Sequence, residues 1–517
     1  MTPRRWIVAI VVLAAALRLF PIWFGLPYSQ TRPDEETAVA HAVAAHHWDL
    51  NPRFFHWPSL TFYLFALGYA VVATVKRAVG LHAMLSFAEH IVIGRVIVAM
   101  AGTLTVFVLY RIGRRMADET TGLVAALLLA VAILHVRDSH FAMTDVLMTC
   151  LVMLSLAALL VARDTRSLRW FAIAGLAGGL AASTKYSAVA VVAAMGMVQL
   201  QQFAGGARSW RPRAWTASAV FVLALMAGFL AATPYAILDR HTFLADFRYD
   251  LTHLSTGHAD VDLGRGWLYH ATHSLPYGAG LTIFGAAIPG LVVMLRRHTG
   301  HALVLVTFGA VFYAAFGGGL TVFFRYILPL IPLLCLAAAV AVRHAAPVLA
   351  RLTGASPAAA FVALLAVVAA PPLVSVAWMD ALLAKTDTRV LAGDWLNSQM
   401  RQGESLFDAG NAYTMLTVPS TTNVLKYDEE TNRFNGDVAL LPDWLVLQQS
   451  PLRAYARVPP ALRALAATRY DLVHTVRATH GSAALAVYDP QDAFFLPFSR
   501  FDTVERPGPT IAIYRRR

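Results

Sequence analysis

The stretch SLTFYLFALGYAVVATVKR, Ser59–Arg77, is apolar and almost as long as a membrane-crossing helix, which needs ~20 such residues. If it crosses, every loop after it changes side. The arginines decide the matter. Arg111, Arg114 and Arg115, then Arg163, Arg166 and Arg169, then Arg208, Arg211 and Arg213 fall between alternate apolar runs, and Arg296, Arg297, Arg343 and Arg351 continue the series. With Arg4 and Arg5 they share one side only if Ser59–Arg77 is left out of the count, and the positive-inside rule makes that side cytoplasmic. The segment is therefore read as a helix in the interface, with Tyr63, Tyr69, Lys76 and Arg77 at headgroup level.

The rest of the composition agrees. The 517 residues are 58% hydrophobic and 14% charged, which excludes an ordinary soluble domain and indicates a polytopic membrane protein. Spans are expected near 6–26, 90–110, 121–136, 145–162, 170–184, 186–203, 215–233, 278–295, 301–320, 327–342 and 357–377. The first run lacks a small-residue cleavage site and reads as a retained helix. Eleven spans put the C-terminus outside. The net charge of +12 follows from cytoplasmic arginines, without basic runs interleaved with aromatics that would bind nucleic acid. Cys150 and Cys335 both lie in apolar runs, so neither a disulfide framework nor a zinc site is available to them.

After Met379 the character changes. Residues 380–517 hold many polar groups and no spanning run. DTRVLAGDWLNSQM has helical spacing, and DWLVLQ, YDLVHTV and TIAIY read as strands between Pro, Gly and Asp turns. The expected architecture is a transmembrane part, 1–379, followed by a small extracytoplasmic α/β domain, 380–517. No internal repeat is evident.

With this topology the ionisable residues of the outer loops can be grouped. The first loop holds Asp34, Glu35, Glu36, His41, Arg53 and His56; the second, HVRDSHFAMTD, holds Arg137, Asp138, His140 and Asp145. STKYS contributes Lys185 and Tyr186, and the long fourth loop contributes Tyr235, Asp239, Arg240, His253, His258, Arg265, Tyr269 and His273. FFRYILP supplies Arg325 and Tyr326. Carboxylates, cations and aromatics on one face suit a reaction at the bilayer surface on a lipid-linked, phosphate-bearing substrate. Each signal also has a structural explanation. RPDEE is an ordinary helix start, Thr144 or Asp145 can cap a helix, Lys185 and Arg325 can snorkel, and loop histidines are usually solvated or structural.

These residues resemble a known pattern. RPDEE followed by NPRFFHWPSLTFYL is similar to the first outer loop of the GT-C glycosyltransferases of family 39, a group that includes dolichyl-phosphate-mannose–protein mannosyltransferases and bacterial aminoarabinose transferases. SHFAMTDVLM, GLAGGLAASTKYSAV and FFRYILPLIPLL resemble its later landmarks, and the C-terminal segments resemble the outer domain of bacterial members. The likeness covers nearly the whole chain. Where aminoarabinose transferases carry Lys-Pro, this chain has His56, Trp57 and Pro58, and the large MIR-type insert of the mannosyltransferases is absent.

The resemblance implies a GT-C fold of about 11 transmembrane helices plus interfacial helices, and sugar transfer from a polyprenyl phosphate to an envelope acceptor. Its proposed base falls on Asp34, with Glu35 beside it; Asp145 and Lys185 match later family positions. The expected roles are catalysis for Asp34, Glu35 and Asp145; donor-phosphate binding for Lys185, Arg325 and Arg265; and acceptor or loop support for His56, Asp138 and Tyr326. The chemistry is coherent: a carboxylate that takes the acceptor's proton is worth ~10²–10⁴-fold, and fixed cations stabilise the departing phosphate in a site with little water. The expected partners are the donor, the acceptor and the lipid bilayer, in a bacterial inner membrane, with no nucleic acid. A divalent metal is compatible with the acids and His56, although no spacing compels one. The alternative is a flippase or transporter of polyprenyl-linked lipid, since intramembrane ionisable residues also mark transport paths. A non-catalytic scaffold built on the outer domain is a third.

Overall fold

The structure is a computed structural model that describes residues 2–205, 211–257, 261–437, 439–480 and 485–517. Arg208 and His258 lie outside the described residues. The chain divides into two compact units, one comprising 1–22 and 37–377, the other 23–36 and 378–517.

The first unit is helical: α1 Pro3–Leu19, α2 Glu35–His46 (whose first two residues fall to the second unit), α3 Leu60–Ala78, α4 Phe87–Met116, α5 Glu119–Ala130, α6 Ile133–Ser139, α7 Thr144–Thr165, α8 Leu168–Ala182, α9 Val191–Gly205 and α10 Arg211–Ala232. It continues with the short α11 Tyr235–Leu238, then α12 Arg240–Thr256, the short α13 Gly266–Tyr269 and α14 Leu275–Ala279, α15 Leu281–Arg297, α16 Thr299–Gly317, α17 Ile331–Thr353 and α18 Pro357–Leu383, whose last six residues fall to the second unit. Among the described residues, eight helices are long and apolar enough to cross a membrane, or up to ten if each of two bent pairs is one span. The protein is a multi-pass membrane protein. Each of the eleven expected spans contains a helix, but they are not equally long, and the first ends at Leu19, well short of the expected 26. α1 has 17 residues and α8 15, which is short for a crossing; α5 and α6 meet at a 60° bend, and the segment before α15 bends by 112°.

Two ends of this bundle are distinguishable. At one, Asp164 near the end of α7 receives Arg115 Nε from α4 at 2.9 Å and His301 Nε2 from α16 at 3.0 Å, and Arg343 of α17 reaches Asp118 at 3.2 Å. Arg115, Arg163 and Arg343 thus share an end, as the alternation of the arginine clusters in the sequence requires. Asp145 and Lys185 lie together at the opposite end of α7.

α3 is long and apolar enough to count as a span by composition, yet both its ends belong to the same end of the bundle. At its start, the Leu60 amide donates to the Ser183 carbonyl at 3.0 Å, two residues before Lys185. At its finish, Lys76 pairs with Glu89 in the first turn of α4 at 2.8 Å. Between them, Phe65 and Gly68 pack on Gly94, Ile93 and Ile97 of α4. A 19-residue helix measures roughly 28 Å and the stretch of α4 from Glu89 to Ile97 roughly 12 Å, so α3 crosses α4 obliquely, as an interfacial helix does.

α8 approaches α10 closely through its glycines. A Cβ on Gly179 would stand 2.0 Å from the Leu225 carbonyl oxygen, and one on Gly175 2.2 Å from that of Phe221. Small residues at such crossings let backbones meet, and this contact fixes the end of α8 from which Lys185 projects. In α1 the buried Arg18 donates to the carbonyls of Leu129 and Ala130 at 3.0 and 3.2 Å. It thereby caps α5 where the chain breaks into α6, satisfying carbonyls a helix end leaves open.

The second unit holds α19 Thr388–Gln399, β1 Ser405–Asp408, β2 Asn423–Val424, β3 Tyr427–Asp428, β4 Arg433–Phe434, β5 Trp444–Gln449, α20 Pro460–Arg469, β6 Tyr470–Val476 and β7 Thr510–Arg516. The helix and three strands expected from the sequence all form. The sheet runs β2-β1-β5-β7-β6, parallel among the first three and antiparallel across β7. Leu406, Val446 and Ile513 pack with Ala392 and Leu396 of α19, whereas Phe407, Leu445 and Leu447 pack with Leu462 and Ala466 of α20. Successive side chains point to opposite faces, so a strand covered on both sides reads as a continuous apolar run; DWLVLQ is that run.

Candidate active site

In the helical unit, the outer-loop residues gather around the start of α7. The N-cap of α7 is Met143, whose side chain makes no capping bond. Asp145 Oδ1 receives Lys185 Nζ at 2.6 Å. Lys185 leads into the 3₁₀ turn Tyr186–Ala190, and its ammonium stands 4.4 Å from the centre of the Tyr326 ring, a cation–π contact. Asp145, Lys185 and Tyr326, drawn from three separate stretches of sequence, form one cluster.

Beside it lies a second cluster. Asn51, Phe55 and His56 face α12, which meets them with one acidic stripe. Asp239 accepts from Asn51 Nδ2 at 3.0 Å, Asp246 accepts from the Phe55 amide at 2.7 Å, and Asp250 Oδ1 lies 2.9 Å from His56 Nδ1. His56 Nε2 is 3.9 Å from Asp246, and the Tyr186 hydroxyl donates to the Phe55 carbonyl at 2.7 Å. Burial pushes the Asp250 carboxyl up to about 6; His56 opposes that rise, Asp246 adds to it, and the Lys185 ammonium is near enough to oppose it as well. Lys185 therefore joins the two clusters electrostatically.

Asp246 and Asp250 were missed in the sequence. Their signal was available: in DFRYD the two acids are four apart, which places them on one helical face. Of the remaining expected residues, Arg325 lies over the Phe323 ring at 4.3 Å and the exposed Arg265 beside the Trp267 ring at 5.9 Å. Asp138 is buried in α6, 3.7 Å from Arg137. Among the described residues, no group of three or more His, Cys, Asp or Glu side chains is placed to hold a metal ion.

Asp34 and Glu35 belong to the second unit. Asp34 has a φ of +73°, left-handed backbone that non-glycine residues rarely adopt. Glu35 is fully buried, and both acids, after burial itself and together with it, raise the pKa of Glu36. Glu35 and Glu36 also form the first turn of α2, so the helix-start explanation of RPDEE holds alongside any chemical one.

Residues 58–231 match the family model described as dolichyl-phosphate-mannose-protein mannosyltransferase. No curated protein matches. Among solved structures, ArnT from Cupriavidus metallidurans bound to undecaprenyl phosphate is 15% identical, with 98% of each chain covered and a TM-score of 0.56; its apo state gives 16%, 99% and 98% coverage, and 0.54. The oligosaccharyltransferase AglB from Archaeoglobus fulgidus, in complex with an inhibitory peptide and a dolichol-phosphate, is 13% identical over 78% of this chain, at a TM-score of 0.53. This chain spans 58% of the length of that archaeal enzyme. The chain thus has the GT-C membrane fold, and its residues 58–231 are similar to the dolichyl-phosphate-mannose-protein mannosyltransferases.

Proposed function

We propose that this protein is a membrane glycosyltransferase that moves a sugar from a polyprenyl-phosphate donor to an envelope acceptor. One observation carries the reading: Lys185, held by Asp145 and Tyr326, stands at the end of the bundle opposite the arginines, beside the carboxylates of α12. The undecaprenyl phosphate and dolichol-phosphate bound by the structural neighbours support that donor class.

In the reaction an acceptor hydroxyl or amine attacks the anomeric carbon while the bond from that carbon to the phosphate oxygen breaks. Negative charge grows on the leaving polyprenyl phosphate. Lys185 stabilises it by turning from Asp145 toward the phosphate, and Arg325 and Arg265 are the further cations assigned to it. The acceptor's proton goes to a carboxylate, and we assign that role to Asp34, with Glu35 as its neighbour, on the resemblance of RPDEE to the first outer loop of the family. His56, Asp138 and Tyr326 support the loops and the acceptor. The arginine end faces the cytoplasm of a bacterial inner membrane, and the Lys185 end and residues 380–517 face outward.

Binding of undecaprenyl phosphate alone to the purified full-length protein tests the donor reading without knowledge of the sugar. Lys185→Ala removes a charge-assisted hydrogen bond of ~1.5–3 kcal/mol, so affinity falls about 10- to 100-fold. Unchanged affinity in a folded variant would sink the assignment. Asp34→Asn tests the base: in membranes supplied with synthetic undecaprenyl-phosphate hexoses and pentoses, its turnover drops by about two orders of magnitude or more.

A further inference from the structure

Asp34 is carried by a segment, 23–36, that belongs to the compact C-terminal unit and is pinned into it by buried polar groups. Arg32 Nη1 meets Asp492 Oδ1 at 2.8 Å, with the two side chains 1% and 3% exposed. Arg389, chelated by Asp387 at 2.8 and 2.7 Å, lies 4.5 Å from the centre of the Tyr28 ring. Tyr28 in turn donates to the Met415 carbonyl at 2.9 Å, and Phe24 packs edge-on against Phe494. The turn is also closed on itself: Thr31 Oγ1 donates to the carbonyls of Gly25 and Tyr28, and Gly25 has a φ of +71°, under the Thr31 side chain.

Only Pro33 separates Arg32 from Asp34, and its ring fixes φ. Asp34 itself sits at +73°. A non-glycine residue stays in that region only where its surroundings over-determine it. Along the chain Asp34 is flanked by the Arg32–Asp492 pair on one side and by the buried Glu35 on the other.

We infer that Arg32 and Asp492 are positioning residues for Asp34: through their buried pair, the C-terminal unit fixes the backbone that carries the proposed base. The inference rests on the reading of Asp34 as that base. It makes the C-terminal unit a requirement for turnover.

The test uses the purified full-length protein and Asp492→Asn, with hydrogen exchange at the amides of residues 34–37 as one readout and turnover as the other. Exchange there accelerates about tenfold or more as the pair loosens. With synthetic undecaprenyl-phosphate hexoses and pentoses in membranes, kcat falls about tenfold or more, because small misplacements of a reacting group are costly, while KM for the donor and affinity for undecaprenyl phosphate hold. In an Asp34→Asn background Asp492→Asn lowers the residual rate no further, the non-additivity of residues acting as a unit. Arg32→Lys retains more activity than Arg32→Ala. If Asp492→Asn does not accumulate, Tyr28→Phe carries the test, removing only the hydroxyl that binds Met415, with the same effects in smaller degree.

A pair that merely stabilises the unit gives another result: less folded protein, with normal turnover per folded molecule in both backgrounds. That outcome, or unchanged exchange at residues 34–37 in the folded variant, overturns the inference. Failure of the base reading looks different. Asp34→Asn would keep its turnover although exchange still responded to Asp492→Asn, and the positioning would then have no catalytic consequence.

Discussion

Lys185 and Asp145 pair at 2.6 Å, and the two partners are unequally placed: Asp145 is 3% exposed and Lys185 18%. The carboxylate is the fixed member and the ammonium the one that can turn. A phosphate reaching Lys185 must compete with Asp145, so the pair sets donor affinity as well as donor position. Asp145→Asn removes the competitor and leaves a neutral amide that still accepts one hydrogen bond. Undecaprenyl phosphate should then bind at least as tightly as in wild type, whereas Lys185→Ala weakens binding about 10- to 100-fold. Lys185→Ala also strands a buried carboxylate, a loss of ~3–5 kcal/mol where no other group compensates, so its melting temperature should fall further than that of Asp145→Asn. Equal donor affinity in both variants would remove Lys185 from the phosphate site.

The placement of α3 gives a second expectation. Single cysteines at Asn51 and Leu81, which flank α3, should react with an impermeant maleimide from the same side of the membrane, and one at Arg166 from the other. Cys150 and Cys335 are buried and should give little background. Labelling of positions 51 and 81 from opposite sides would show that α3 crosses, and would invert every loop after it.

Much of this fold was legible in the chain because it follows from one-dimensional patterns. Arginine alternation gave the end at which Asp164 collects Arg115 and His301, and the apolar run DWLVLQ gave a strand buried on both faces. Lys185 and Asp145 stood out as ionisable residues at span ends, although their pairing did not. What pairs them is the turn after α8, set by the glycine contacts with α10, and no local pattern encodes that. Asp246 and Asp250 were hidden differently. They lie in a loop long enough to look irregular, and their meaning depends on the Phe55 amide and His56, some 190 residues earlier. The attachment of 23–36 to the C-terminal unit was equally invisible, since Arg32 and Asp492 are 460 residues apart.

The crossing of α8 and α10 can be tested with glycine replacements. Gly179→Ala places a methyl 2.0 Å from the Leu225 carbonyl oxygen, and two backbones must separate to admit it. Gly285→Ala in α15 meets nothing within 4 Å. Overpacking costs about 1–3 kcal/mol, whereas an alanine at an open helical position gains up to ~1 kcal/mol in propensity. The melting temperature in detergent should therefore fall for Gly179→Ala and hold or rise for Gly285→Ala. Undecaprenyl phosphate binding should weaken only in the former, through displacement of Lys185. A neutral Gly179→Ala would mean that the two helices do not touch as described.

The last expectation concerns pH and the His56–Asp250 pair. Burial raises the Asp250 carboxyl from its ordinary 3.8 to about 6. A raised folded-state pKa contributes stability that is fully present below the unfolded value and is lost as pH rises through the folded one. For Asp250 that window runs from about pH 4 to about pH 6. Above it the side chain is an anion in a poorly solvated place, next to Asp246 and opposed mainly by His56. Removing the ring by His56→Ala thus withdraws the partner where it is most needed. The variant should lose little melting temperature at pH 5, where Asp250 is largely protonated, and clearly more at pH 7.5. Asp250→Asn cannot ionise, so in that background His56→Ala should cost about the same at both pH values. The comparison of these melting temperatures in one detergent checks the sign directly. A loss in His56→Ala that is greater at pH 5 than at pH 7.5 would mean that the imidazole is not what opposes the Asp250 charge, and that α12 is held to the first loop chiefly through Asp239 and Asp246.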